Sequence, residues 1–166
     1  MKVTTLHRSL KLFLTSFFLI CTFIKSGNAQ QIPISDSIII DGYLSRKQLE
    51  NYSWFSKNYP AYAPKKSIIR KLKKQKPISI LIILGTWCSD SKAHVPAMLK
   101  VCEEAGIDQI VMIGVNRKKE SSKVNIGSYQ VTYVPLIIVY RNNKEIGRII
   151  ETPKKSVEED LLKIIR

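Results

Sequence analysis

Nineteen residues, Ile78 to Pro96, reading ISILIILGTWCSDSKAHVP, constrain this chain more than any other stretch. Ile78 to Leu84 is an apolar, β-branched run bounded by Pro77 and Gly85. It is too short for a buried helix and reads as a strand covered on both faces. After Cys88, the residues Ser89, Asp90 and Ser91 suit a first helical turn, and Ala93, Val95, Met98, Leu99 and Val101 follow at helical spacings. The chain is therefore expected to pass from strand to helix at Cys88, with free backbone N–H groups of the helix start aimed at the sulfur.

That placement bears on reactivity, because only the thiolate attacks and a helix N-terminus stabilises negative charge by ~0.3–1 kcal/mol. Asp90 opposes the effect if its carboxylate lies near the sulfur, whereas Lys92, one turn on from Cys88, supports it. A free cysteine also packs simply as a small apolar residue. The adjacent Trp87, the strand-to-helix position and the polar first turn favour a reactive thiol.

Trp87-Cys88-Ser89-Asp90-Ser91-Lys92, with Pro96 eight residues past the cysteine, resembles the thioredoxin active-site segment W-C-x-x-C-K and its helix-kinking proline. Ser91 stands in place of the second cysteine. Val134-Pro135 ahead of the apolar run Leu136 to Tyr140 is similar to that family's cis-proline loop and the strand after it. The resemblance covers about residues 77–166. It implies an α/β thioredoxin fold, a central mixed sheet ordered βαβ then ββα and flanked by helices. It also implies that Pro135 is cis and faces Cys88, and that the backbone of Val134 pairs with a substrate chain as an added strand. Catalysis then falls to Cys88 and Ser91, substrate binding to Trp87, Val134 and Pro135, and support to Ser89, Asp90 and Lys92. The sequence departs from the family at Ile82, six residues before the cysteine, where thioredoxins carry a buried acid that helps move protons.

Residues 1–29 read as a cleaved signal peptide. Lys2, Arg8 and Lys11 precede thirteen mostly apolar residues, Leu12 to Ile24, and Gly27-Asn28-Ala29 suits signal peptidase. The apolar run is shorter than the ~20 residues of a membrane-spanning helix, which leaves a retained anchor the lesser alternative. Export to a periplasm or the extracellular space is the expectation. Loss of the segment removes Lys2, Arg8, Lys11 and Lys25 and no acid, so the formal charge falls from +14 to +10. Cys21 goes with it. Of the two remaining cysteines, Cys102 shares a helical face with apolar residues and reads as core. At fourteen helical positions, ~21 Å, it is too far from Cys88 for a disulfide.

Residues 30–76 read as an N-terminal extension with helices packed on a thioredoxin-like domain at 77–166. Ile38-Ile39-Ile40 before Asp41-Gly42 predicts a short strand and turn, and Ser45 with Gln48 predicts a helix running towards Lys57. Tyr43, Tyr52, Trp54, Phe55, Tyr59 and Tyr62 are expected mainly to pack this extension onto the domain. Lys65 to Lys76 holds seven basic residues and no acid, with Ile68, Ile69 and Leu72 on one face, and predicts an amphipathic helix. A solvated basic face accounts for it, with a weak attraction to anionic membrane surfaces as the further option, at ~1 kcal/mol per surface Lys or Arg. No nucleic-acid motif accompanies the charge, so nucleic acid is not an expected partner.

Beyond the Cys88 helix, which Gly106 ends, Gln109 to Asn116 predicts a second strand parallel to the first. Arg117 to Gln130 predicts a loop with a short irregular helix. Leu136 to Tyr140 and Glu145 to Glu151 flank a hairpin turn at Arg141-Asn142-Asn143-Lys144, and a last helix runs from Val157 to Ile165. No metal-ligand spacing, phosphate-cradling glycine loop or cofactor motif is present in the sequence. His94, six residues past Cys88, lies on a different helical face and is not placed to activate it.

These residues point to an exported monothiol thioredoxin-like protein that carries out thiol-disulfide exchange or isomerisation on envelope proteins through Cys88. Its partners are protein or low-molecular-weight thiols and disulfides. Ser91 is expected to donate a hydrogen bond to the sulfur but cannot resolve a mixed disulfide, so a second thiol must come from elsewhere. The alternative is a redox-inactive thioredoxin-fold module that grips peptides at Val134-Pro135.

Overall fold

The computed structural model describes residues 35–75 and 77–166; residues 1–29, read from the sequence as a signal peptide, lie outside them. The apolar run predicted as a buried strand is β2 (Ser79–Leu84), with every side chain from Ile80 to Leu84 buried. Its parallel neighbour is β3 (Ile110–Gly114), reached through α4 (Ser89–Ala105). The helix closes where Gly106 takes the left-handed conformation, φ 74°, that glycine adopts at little cost.

On the other side of β2 runs β4 (Leu136–Arg141), antiparallel, followed by β5 (Lys144–Ile150). Asn142 and Asn143, at φ 52° and 61°, make the predicted hairpin turn. With β1 (Gly42–Leu44) antiparallel to β3 on the far edge, the five-stranded sheet has the order β1-β3-β2-β4-β5. The βαβ and ββα units of a thioredoxin fold are both present. The last helix, α5 (Val157–Ile165), is capped by Ser156, whose hydroxyl accepts the Glu159 N–H.

The edge strand falls two residues beyond the isoleucine triplet predicted to form it. Thr86 and Tyr52 explain the shift. The Ile38 carbonyl accepts the hydroxyls of Thr86 (3.0 Å) and Tyr52 (2.9 Å), and the Ile40 N–H donates to Thr86 Oγ1 (3.4 Å). Side chains thus satisfy the triplet's backbone in place of a ladder. The Ile40 carbonyl also occupies the position a Cβ on Gly114 would take, so only glycine fits there.

The single helix expected from Ser45 is two. Ser45 and Gln48 form a capping box at the start of α1 (Arg46–Glu50), and the chain turns at Asn51 before α2 (Ser53–Ala61) begins. Tyr52, with extended backbone at the break, is fully buried, and its hydroxyl is the one that holds Ile38. Asp36 takes over as the distant cap of α2, accepting the Ser53 N–H at 3.2 Å and its hydroxyl at 2.6 Å.

Trp54 and Phe55 are buried and Phe55 stacks on Tyr59, 5.3 Å between ring centroids, so the aromatic residues serve packing; Tyr43 is the exception, 69% exposed. The basic helix is α3 (Lys66–Leu72), which buries Ile69 and Leu72 and exposes Lys66, Arg70 and Lys71. The five α-helices of the described residues all send buried apolar side chains into the core on one face of the sheet. The opposite face is covered by the connection between β3 and β4, through Val124, Ile126, Tyr129, Val131 and Val134. Its only regular piece is a 3-10 turn at Gly127–Tyr129.

Candidate functional site

Cys88 is the N-cap of α4, with extended backbone at φ −84° and ψ 131°, and its side chain is half-buried. The sulfur makes no capping bond to the helix N–H groups. Here the structure departs from the sequence-based expectation: the sulfur faces oxygens instead. Sγ is 3.2 Å from the carbonyl oxygen of Val134 and 3.9 Å from Oδ2 of Asp90. The Val134-Pro135 bond is cis, and both residues are buried. Two segments 46 residues apart in sequence therefore meet at the cysteine.

Three residues shape the turn beneath it. The Cys88 N–H donates to the Gly85 carbonyl at 2.9 Å. Trp87 folds back over Gly85, where a Cβ would come within 2.6 Å of the indole, and its Nε1–H donates to the Val115 carbonyl at 3.0 Å. Ser91 is fully buried, and its Oγ accepts the Gly85 N–H at 3.2 Å. No hydrogen bond joins Ser91 to the sulfur, contrary to expectation. Its hydroxyl satisfies a buried backbone donor and so fixes the turn.

Ser89 is exposed at the first helical position, and Lys92 is half-buried with its backbone N–H donating to the Cys88 carbonyl at 3.0 Å. Cys102 lies in the core, where burial pushes its thiol up to about 12, leaving it unreactive at neutral pH. Both cysteines are free. For His94, burial lowers the imidazole below its ordinary value, and the nearby Asp90 works against that shift. Among the described residues no group of three or more His, Cys, Asp or Glu is placed to hold a metal.

Sequence reasoning missed the contacts that brace this turn and its aromatic rings. Thr86, buried and two residues ahead of the cysteine, ties the turn to Ile38 and Ile40. A buried polar residue inside an otherwise apolar stretch is the signal that marks it. Arg117 lies over the Trp87 ring, 5.4 Å from its centroid, and Lys119 lies 6.0 Å from the ring of Tyr133, the exposed neighbour of Val134. Nothing in their local sequence points to Cys88.

A family model described as Thioredoxin matches residues 38–162. The chain belongs to the thioredoxin family. The match takes in β1 and the helices before β2 as well as the segment from 77 onward. Among solved structures, a protein of unknown function from Pseudomonas aeruginosa is similar, with 15% identity, TM-score 0.50, and coverage of 74% of this chain and 85% of the other. An HIV epitope scaffold is also similar, with 12% identity, TM-score 0.44, and coverage of 74% of this chain and 76% of the other. At 15% identity the Pseudomonas likeness speaks to the fold of this thioredoxin-family chain. No curated protein sequence matches the chain.

Proposed function

We propose that this thioredoxin-family chain performs thiol-disulfide exchange through Cys88 as a monothiol enzyme acting on exported proteins or small thiols. The observation that carries the proposal is the half-exposed sulfur at a helix start, 3.2 Å from the Val134 carbonyl that precedes a cis-proline. The Cys88 thiolate attacks one sulfur of a client disulfide. A Cys88–client S–S bond forms, the client's own S–S bond breaks, and the departing thiolate takes up a proton from solvent. Ser91 cannot attack the new bond, so a second client thiol or a small thiol resolves it. That suits isomerisation or mixed-disulfide exchange better than net reduction of a dithiol. The proposal places the protein outside the cytoplasm, with residues 1–29 as the export signal. No helix among the described residues is long and apolar enough to cross a membrane.

One observation favours a second reading. The sulfur faces two acceptor oxygens, Val134 O at 3.2 Å and Asp90 Oδ2 at 3.9 Å, either of which can take its single S–H bond. A peptide-binding module without turnover would keep its cysteine that way. Incubation of the folded protein with a peptide disulfide separates the two. Exchange adds one peptide mass, removed by dithiothreitol and absent in Cys88→Ser. If folded protein gains no peptide while the same chain in denaturant does, the binding reading stands and exchange falls.

A further inference from the structure

We infer that Arg117 and Lys119 select clients whose reacting cysteine is flanked by carboxylates; the inference rests on exchange at Cys88. The residues that touch across the site are Cys88 and Val134, and the residue before each is aromatic, Trp87 and Tyr133. Each ring carries a cation from the same short turn. Arg117 Cζ is 5.4 Å from the Trp87 centroid, and Lys119 Nζ is 6.0 Å from the Tyr133 centroid. A client strand laid along Val134 has these two cation-bearing rings beside its reacting cysteine.

The turn is built to hold that position. Asn116 Oδ1 accepts the N–H groups of Lys118 (2.8 Å) and Glu120 (3.1 Å), and the Asn116 carbonyl accepts the Lys119 N–H (2.9 Å). Lys119 itself takes a left-handed backbone, φ 65°. Further along, Asp41 Oδ2 accepts both the N–H (3.0 Å) and the hydroxyl (2.5 Å) of Ser122, tying the loop to the start of β1. Neither Arg117 nor Lys119 has an ion-pair partner among the described residues. Their charges are thus steadied by aromatic faces and left unneutralised, the condition in which a guanidinium fork or an ammonium best receives a carboxylate. Lys118 and Lys123 add to the same sign, against Asp90 beside the sulfur and Glu120 within the turn.

The chemical step is unchanged. One S–S bond forms at Cys88, one breaks in the client, and the leaving thiolate takes a proton. What the cations alter is the rate at which clients of different charge arrive and remain.

The test measures mixed-disulfide formation between the purified protein and three peptide disulfides of equal length, with Glu, Lys or Gln on either side of the cysteine. At low ionic strength the Glu peptide is expected to react about tenfold faster than the Lys peptide, as electrostatic steering allows. The ratio should fall towards one as salt is raised. Arg117→Glu with Lys119→Glu should invert it, and Arg117→Gln with Lys119→Gln should bring it close to one, with far-UV circular dichroism reporting the fold of each variant. Equal rates for all three peptides, or the same preference in both variants, would overturn the inference while leaving exchange at Cys88 intact. Failure of all three peptides to react would overturn exchange itself and the inference with it.

Discussion

The side-chain amide of Asn58 donates to the carbonyl oxygen of Lys92 at 3.0 Å. Pro96, four residues on in α4, has no N–H with which to make the helical bond to that carbonyl. Asn58 therefore supplies from α2 the partner that the proline withholds, and α2 is pinned to the helix that carries Cys88. Asn58→Ala should lower stability by ~1 kcal/mol in urea unfolding. In a Pro96→Ala background, where the helix can make its own bond, most of that cost should disappear. Equal costs in both backgrounds would remove this explanation of the contact.

Ser91 is expected to matter through the turn and not through the sulfur. Ser91→Ala leaves the buried Gly85 N–H without a partner and should cost ~1–3 kcal/mol. Ser91→Cys, with a weaker acceptor, should recover part of that loss. Thermal melts of the two variants and the parent check the order. A Ser91→Ala protein as stable as the parent would mean the hydroxyl is not holding the turn.

Asp90 should restrain the nucleophile. Its carboxylate lies 3.9 Å from Sγ, and a negative charge there disfavours a second one on the sulfur. Because Asp90 is only half-buried, water screens the repulsion to ~1 kcal/mol, or about fivefold in rate. Asp90→Asn is therefore expected to raise the iodoacetamide alkylation rate of Cys88 at pH 7 by about fivefold. A rate that stays the same or falls would show that the carboxylate plays no restraining part.

The Tyr62–Glu158 contact gives the fold an acid-sensitive clasp between the end of α2 and the start of α5. Glu158 is 2% exposed. Burial by itself would raise its carboxyl, but the Tyr62 hydroxyl at 2.5 Å and the Lys65 N–H at 3.2 Å outweigh that and hold it below the ordinary 4.5. A carboxyl lowered by folding contributes stability that is fully present above the unfolded value and lost as pH falls through the folded one. Tyr62→Phe should cost ~1.5–3 kcal/mol at pH 7, the range for a hydrogen bond to a charged group. The gap from the parent should hold down to the ordinary carboxyl value of 4.5 and narrow below it. A gap that widens in acid would reverse the sign of the argument.

The parts of this fold that sequence revealed are those set by neighbours in the chain. The run Ile78 to Leu84, the turn at Gly85 and the helix from Ser89 each depend on local pattern, and the Ser45 cap is equally visible. The isoleucine triplet misled because β-branched residues suit a strand, whereas Thr86 and Tyr52, 48 and 14 residues from Ile38, take the backbone bonds. The crowding of all five helices onto one face could not be read either, since helical periodicity marks an apolar side without saying which face of the sheet it meets. At the site, the motifs around Trp87-Cys88 and Val134-Pro135 mark Cys88 and Pro135. The direction of the sulfur and of the Ser91 hydroxyl depends on rotamers and on partners such as the Val134 carbonyl, which a sequence pattern does not contain.

The most direct measurement traps what Cys88 carries in cells. Thiols are blocked in the native host during mild oxidation, the protein is run on a non-reducing gel, and bands of raised mass are analysed by mass spectrometry. Without a second cysteine at position 91, mixed disulfides through Cys88 should accumulate, collapse on reduction and be absent in Cys88→Ser. Recovery of Cys88 only as a free thiol, with no adduct under oxidising challenge, would contradict the exchange mechanism.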